Sequence, residues 1–128
     1  MGRVYYFELP VDDMDRAIRF YETVFGWKIT KHDRDSGPYF SVETGANTEP
    51  GINGSFFKKA EDWTNISNVI GVKDINQAIS KLESFGGQIV FPKTTINGVG
   101  YLAYFKDLDG NVFGIMQSDP SVHQEGGM

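Results

Sequence analysis

Two side chains near the start of the chain could do chemistry together. Tyr6 and Glu8 lie two residues apart in Val4-Tyr5-Tyr6-Phe7-Glu8-Leu9-Pro10, a run rich in strand formers. Side chains alternate along a strand, so these two share one face. A carboxylate partly buried in a cavity has its pKa raised by desolvation, as a general acid or base requires. A phenol beside it could hydrogen-bond a ligand or stack on it. The structural alternatives are a solvated or ion-paired Glu8 and a Tyr6 that only fills core. The chain has no Cys, which removes disulfides, thiolate metal sites and Cys nucleophiles. Its two histidines, His32 and His123, are assigned to a loop and to the tail, away from any cavity strand. Asp107-Leu108-Asp109-Gly110-Asn111 lacks the ligand pattern of a calcium loop and reads as a hairpin turn with Gly at positive φ. Asp12, Asp13 and Asp15 stand at a helix start, where acids suit the dipole.

The elements that must position these residues come twice. Val11-Asp12-Asp13-Met14-Asp15-Arg16-Ala17-Ile18 returns, 61 residues later, as Val72-Lys73-Asp74-Ile75-Asn76-Gln77-Ala78-Ile79. Six of sixteen positions coincide from Val11/Val72 to Gly26/Gly87, against about one by chance. Each copy reads as a strand, a helix capped by an acid (Asp12 or Asp13 in the first) and closed by glycine, and three more strands. The expected strands are 4–10, 27–32, 39–43, 53–58, 65–72, 88–92, 100–106 and 111–118. The expected helices run to Phe25 and from Ile75 to Phe85. The first helix carries Met14, Ala17, Ile18, Tyr21 and Phe25 at helical spacing. Tyr5, Phe7 and Leu9 are the better match to that stripe, which leaves Tyr6 and Glu8 for the opposite face. The predicted class is α+β: two βαβββ modules forming an open eight-stranded barrel-like sheet around a cavity. One domain over 1–118 is expected, with module one at 4–58, a linker at 59–64, module two at 65–118 and a flexible tail at 119–128.

Composition narrows the function classes. With 40% hydrophobic residues, including 10 Phe, 6 Tyr and 2 Trp, the chain can build a real core. The net charge is −5 and no basic stripe could track a phosphate backbone, so nucleic acid is not an expected partner. No apolar signal or membrane-length run is present, so no membrane partner is expected and a cytoplasmic location is.

The segment Phe105-Lys106-Asp107-Leu108-Asp109-Gly110-Asn111-Val112-Phe113-Gly114 resembles the Asp-Pro-Asp-Gly hairpin of the vicinal oxygen chelate superfamily, with Leu108 in place of proline. That superfamily includes glyoxalase I, the bleomycin-resistance proteins and the extradiol dioxygenases. Ala17-Ile18-Arg19-Phe20-Tyr21 followed by Phe25-Gly26-Trp27 is also similar to it, and the resemblance runs from Val4 to Gln117. In metal-dependent members each half supplies one ligand from its first strand and one from its last. The resemblance places those ligands at Tyr6, Gly54, Ser67 and Gly114. Two glycines, a Ser and a Tyr are a poor donor set for a divalent metal, so no metal and no cofactor is expected.

The sequence therefore predicts a glyoxalase-like small-molecule-binding protein without the family metal site, sequestering an apolar or aromatic ligand. The cavity is expected to be lined by Tyr6, Glu8, Gly54, Phe56, Ser67, Val69, Gly114 and Met116. The alternatives are a metal-independent lyase or isomerase with Glu8 as general base, and a dimeric interaction module whose cavity is filled. A homodimer is expected, because pairing covers open sheet edges.

Overall fold

The computed structural model describes residues 2–34 and 37–122. His123 and most of the predicted tail lie outside the described residues. The architecture is α+β, with a βαβββ order that occurs twice: β1 (Val4–Val11), α1 (Met14–Phe25), β2 (Lys28–Arg34), β3 (Gly37–Glu43) and β4 (Asn53–Lys58), then β5 (Ser67–Gly71), α2 (Ile75–Ser84), β6 (Gln88–Ile96), β7 (Gly100–Lys106) and β8 (Val112–Ser118). By contacts the chain divides into residues 5–67 and residues 2–4 with 68–122. Among the described residues no helix is long and apolar enough to cross a membrane.

In the first unit β1 pairs in parallel with β4, and β4 and β2 flank β3 in antiparallel fashion. Helix α1 starts where Asp13, in extended conformation, accepts the Arg16 N–H at 3.1 Å. That satisfies one of the backbone donors a helix start leaves over. It stops at Gly26, whose φ of 72° is a left-handed conformation that costs glycine little. Its apolar stripe covers one face of the sheet. Met14, Ala17, Ile18 and Tyr21 pack with Phe7, Leu9 and Phe40 on the buried cluster Val11, Val42 and Phe56. The Tyr21 and Trp27 rings stack at 4.7 Å and 9°. β1 runs through Pro10 to Val11 rather than ending there.

The second unit repeats the device. Asp74 accepts the Gln77 N–H at 3.0 Å and starts α2. The α2 stripe, Ala78, Ile79 and Leu82, packs with Ile70, Val72 and Phe105 around buried Ile75, Ala103 and Ile115. β5 pairs in parallel with β8, and β7 is flanked by antiparallel β8 and β6. The sequence ends β6 at Pro92, whereas the strand continues to Ile96 with register breaks between Ile89, Phe91 and Thr94. It lies on the outer side of β7, where a missing N–H breaks no ladder.

The hairpin turn expected at Asp107–Asn111 joins β7 to β8. Asp107 accepts the N–H groups of Asp109 and Asn111, each at 2.9 Å, and Gly110 takes φ 87°. Near the end of the first unit, Ala60 and Trp63 exchange backbone hydrogen bonds at 3.2 and 3.0 Å.

Candidate functional site

The face of the first sheet away from α1 is polar. Tyr6 and Glu8 reach it from β1, as alternation predicts, and both are half-buried. The neighbouring residue on β4 is Ser55, which pairs in register with Glu8 and is 2% exposed. The Tyr6 hydroxyl lies 3.2 Å from Ser55 Oγ and donates to Glu8 Oε2 at 3.4 Å. Tyr39 of β3 adds a further hydrogen bond to Tyr6. Burial above all, then the Glu8 charge and Tyr39, raises the Tyr6 pKa far above the ordinary phenol value. Tyr6 is thus a neutral phenol, and the order Ser55 O–H to Tyr6 oxygen, Tyr6 O–H to Glu8 carboxylate satisfies all three groups. The adjacent Tyr5 is raised as well, chiefly by burial and then by Tyr39 and Glu8.

Further along the same face His32 pairs with Tyr39 across β2 and β3, and its Nε2 lies 2.8 Å from Ser41 Oγ. The Arg34 guanidinium sits 4.4 Å from the centre of the Tyr39 ring. The expected strand ends at His32, with the loop starting there, whereas β2 runs on to Arg34 and holds His32 inside it. His32, Tyr39, Ser41 and Ser55 were all missed by sequence reasoning. Period-two alternation carried outward from Phe40 and Val42, which face α1, would have found Tyr39 and Ser41.

A cleft of about 620 Å³ opens beside this group. Glu8 and Ser55 form part of its wall, together with the rings of Tyr39 and Phe57. Tyr6 does not line it but holds two residues that do. The cleft exists because β3 and β4 part company. Their pairing covers only Phe40 to Val42 against Gly54 to Phe56, although β3 begins at Gly37 and β4 ends at Lys58. Pro38 has no N–H with which to continue the ladder towards β4. Helix α1 starts at this same end, and Asp12, Asp13 and Asp15 complete the rim.

Of the other cavity residues expected from the sequence, Phe56 borders the cleft and the rest lie elsewhere. Gly54 falls on the α1 face, since a Cβ there would meet the Phe7 carbonyl oxygen and, at 2.7 Å, the Phe7 ring. Phe56 shares that face. It is 2% exposed and packs on the Tyr21 ring at 5.5 Å, and it also lines the cleft. The register of β4 was taken one residue out, and Ser55 is the residue that sits with Tyr6 and Glu8. Ser67 closes the first unit, buried. In the second unit Val69, Gly114 and Met116 do lie on the face away from α2, with Gly114 between Val69 and Tyr104. Val69 and Met116 are buried too, and none of the four borders the cleft.

The superfamily resemblance implies a divalent metal, and the donors do not fit one. Among the described residues no three His, Cys, Asp or Glu side chains come together in a way that could hold a metal. The positions that would carry ligands offer a phenol, a serine hydroxyl and two glycines, and correcting Gly54 to Ser55 adds only another hydroxyl.

The comparisons with known proteins follow the fold. The sequence model of the Glyoxalase/Bleomycin resistance protein/Dioxygenase superfamily matches residues 3–115. The chain belongs to this superfamily. Solved structures of superfamily architecture superpose on nearly all of it. A methylmalonyl-CoA epimerase from Mycobacterium tuberculosis does so with a TM-score of 0.70, 14% identity, and coverage of 93% of this chain and 89% of that one. A hypothetical protein from Bacillus halodurans C-125 gives 0.71 and 13%, covering 96% and 99%. A Streptomyces coelicolor methylmalonyl-CoA epimerase in complex with 2-nitronate-propionyl-CoA gives 0.70 and 10%, covering 92% and 98%. At these identities the likeness is one of fold, and superfamily folds host unrelated chemistries. No curated protein matches the chain significantly.

Proposed function

We propose that this superfamily member binds a small organic molecule in the first-unit cleft without the help of a metal. The observation that carries the reading is the Ser55–Tyr6–Glu8 chain, which presents one carboxylate and one buried hydroxyl at the wall of a 620 Å³ cleft. That volume is in the range of small-molecule sites. A few fixed polar groups among rings is how such sites orient a ligand. The poor donor set supports the metal-free part of the proposal.

A second reading adds turnover. Glu8, carried on a strand and held by a neutral phenol, has the reach of a general base in a lyase or isomerase. Binding and turnover separate cleanly. Glu8→Gln keeps the shape and removes the charge. In the binding reading it changes affinity for co-purified or screened ligands and leaves the melting temperature nearly unchanged. In the enzyme reading it abolishes turnover while binding persists. A large loss of stability with unchanged binding would make Glu8 a structural group and sink both.

Native mass spectrometry of freshly purified protein tests the ligand, the metal and the assembly together. About one zinc, nickel or iron per chain, lost on mutating Tyr6 or Glu8, would overturn the metal-free proposal. Homodimer assembly is part of the same proposal. It is supported by Phe20, Val24 and Phe25 of α1, each more than half exposed. A monomer in sedimentation at micromolar concentration would overturn it.

A further inference from the structure

We propose that β2 is a docking edge for an acidic peptide, which lies alongside it as an added strand. β2 and β6 are the two ends of the strand order, one in each unit. An end strand leaves a row of backbone N–H and C=O groups unpaired on its outer side, and proteins spoil such rows with prolines, bulges or charge. β6 is spoiled by Pro92 and by register breaks between Ile89 and Phe91 and between Phe91 and Thr94. β2 has neither device. It holds no proline and pairs with β3 without a break from Lys28 to Arg34. Of its seven residues only Ile29 is even partly buried.

What guards β2 is charge, and the charge has one dominant sign. Lys28, Lys31 and Arg34 stand against Asp33 alone, in a chain whose net charge is −5. Among the described residues none of the three cations forms an ion pair, although Glu43 stands opposite Lys28 in register. Their spacing decides the partner. Alternation puts Lys28 and Arg34 on the face away from α1, with His32, and puts Lys31 on the α1 face, with Ile29. A neighbour covering the whole strand therefore needs an acid at every third position, the outer two facing one way and the middle one the other. A second copy of β2, antiparallel over its full length, would set Lys31 against Lys31 and Lys28 against Arg34. Like charges directly opposite are destabilising. The edge that turns away its own copy accepts a strand of opposite charge: the backbone ladder supplies the contact and the three charge pairs the choice. Nucleic acid offers the charge but no N–H row to complete the ladder.

The test uses end-blocked peptides: Glu-Thr-Thr-Glu-Thr-Val-Glu and its analogues with Gln or Lys in place of Glu. Binding to the full chain is read by backbone amide NMR shifts and by anisotropy of dye-labelled peptide. The expected result is shifts confined to residues 28–34 and their β3 neighbours. The Glu peptide should bind about tenfold tighter than the Gln peptide, with the gap narrowing in salt. Methylating alternate backbone nitrogens of the Glu peptide gives two probes of equal charge. The set that turns towards β2 should abolish binding and the other should leave it, because only alternate N–H groups of a strand face one neighbour. Lys31→Glu, at an exposed position, should weaken the Glu peptide and strengthen the Lys peptide, and that gain also shows the variant to be folded. If both methylated probes, or an oligothymidylate, bind as tightly as the Glu peptide, β2 is a plain anion patch and the proposal is overturned. Shifts that fall on β6, or that appear on β2 with rising protein concentration alone, as a second copy would give, overturn it too. So does a Glu peptide that moves no β2 amide at millimolar concentration.

Discussion

The Tyr6 hydroxyl lies 3.2 Å from Ser55 Oγ, joining β1 to β4 through side chains where Glu8 and Ser55 already pair through the backbone. Tyr6→Phe removes the middle of the Ser55–Tyr6–Glu8 chain. It should cost about 1–2 kcal/mol in urea unfolding, because the Ser55 hydroxyl then stays buried without this partner. Ligand affinity should fall as well, although Tyr6 touches no part of the cleft. An unchanged unfolding midpoint would mean that the hydrogen-bond chain holds nothing together.

Alkaline pH should act through the same residue. Its folded pKa is raised above the ordinary phenol value of 10.0. Between the unfolded and folded values the native state binds the extra proton, so stability is full below about pH 10 and falls as pH rises further. Spectrophotometric titration of the tyrosines should show a component that ionises only with unfolding. Tyr6→Phe should remove it. Ionisation of all six tyrosines in one ordinary step would contradict this.

Two glycines on the last strands of the modules should respond differently to alanine. At Gly54 the new Cβ collides with the Phe7 backbone, which has nowhere to go, and the cost should be ~3 kcal/mol. At Gly114 the Cβ would stand 3.0 Å from Tyr104 Cε1 and 3.1 Å from Val69 Cγ2, both side-chain atoms. A shift of a few tenths of an ångström should hold that cost to about 1 kcal/mol. Parallel chemical denaturation of the two variants checks the order. Equal losses would refute it.

Acid should weaken the β7–β8 turn. Hydrogen bonds from Asn111, backbone first, lower the Asp107 pKa below the ordinary carboxylate value of 3.8. A depressed carboxylate stabilises the fold above its unfolded pKa, and that contribution is lost as pH falls through the folded value. Asp107→Ala should therefore melt below the parent at about pH 7, with the difference shrinking towards about pH 3. A difference independent of pH would show that the turn relies on shape rather than on the charge.

What the sequence revealed and what it hid follow from the range of the forces involved. Asp13 and Asp74 were legible as caps because a cap is satisfied three residues away, at Arg16 and Gln77. The stripes of α1 and α2 were legible because their spacing is local. The face of Ser55 was not, because it depends on pairing with β1, some fifty residues back. In the structure Ser55 stands opposite Glu8 as Gly114 stands opposite Val69, whereas matching the repeats by glycine put Gly54 in that place. A slip of one residue exchanges the two faces of a strand, so Phe56 was expected on the face of Glu8, whereas it packs on the α1 face and borders the cleft from there. His32 was lost for a related reason, since its strand runs two residues further than its apolar pattern does.

The backbone at the start of the chain bears on any attempt to cut the protein into its halves. Gly2 donates to the Gly71 carbonyl at 2.7 Å, and the Gly71 N–H returns to Arg3 at 2.9 Å. Residues 2–4 thus serve as an added strand for β5, while the rest of β1 serves β4. A gene split at the linker would leave the downstream fragment without that strand. The upstream fragment would carry three residues, 2–4, whose unit lies in the other half. Fragment complementation should then depend on those three residues, and a synthetic second half would need them grafted back ahead of Ser67.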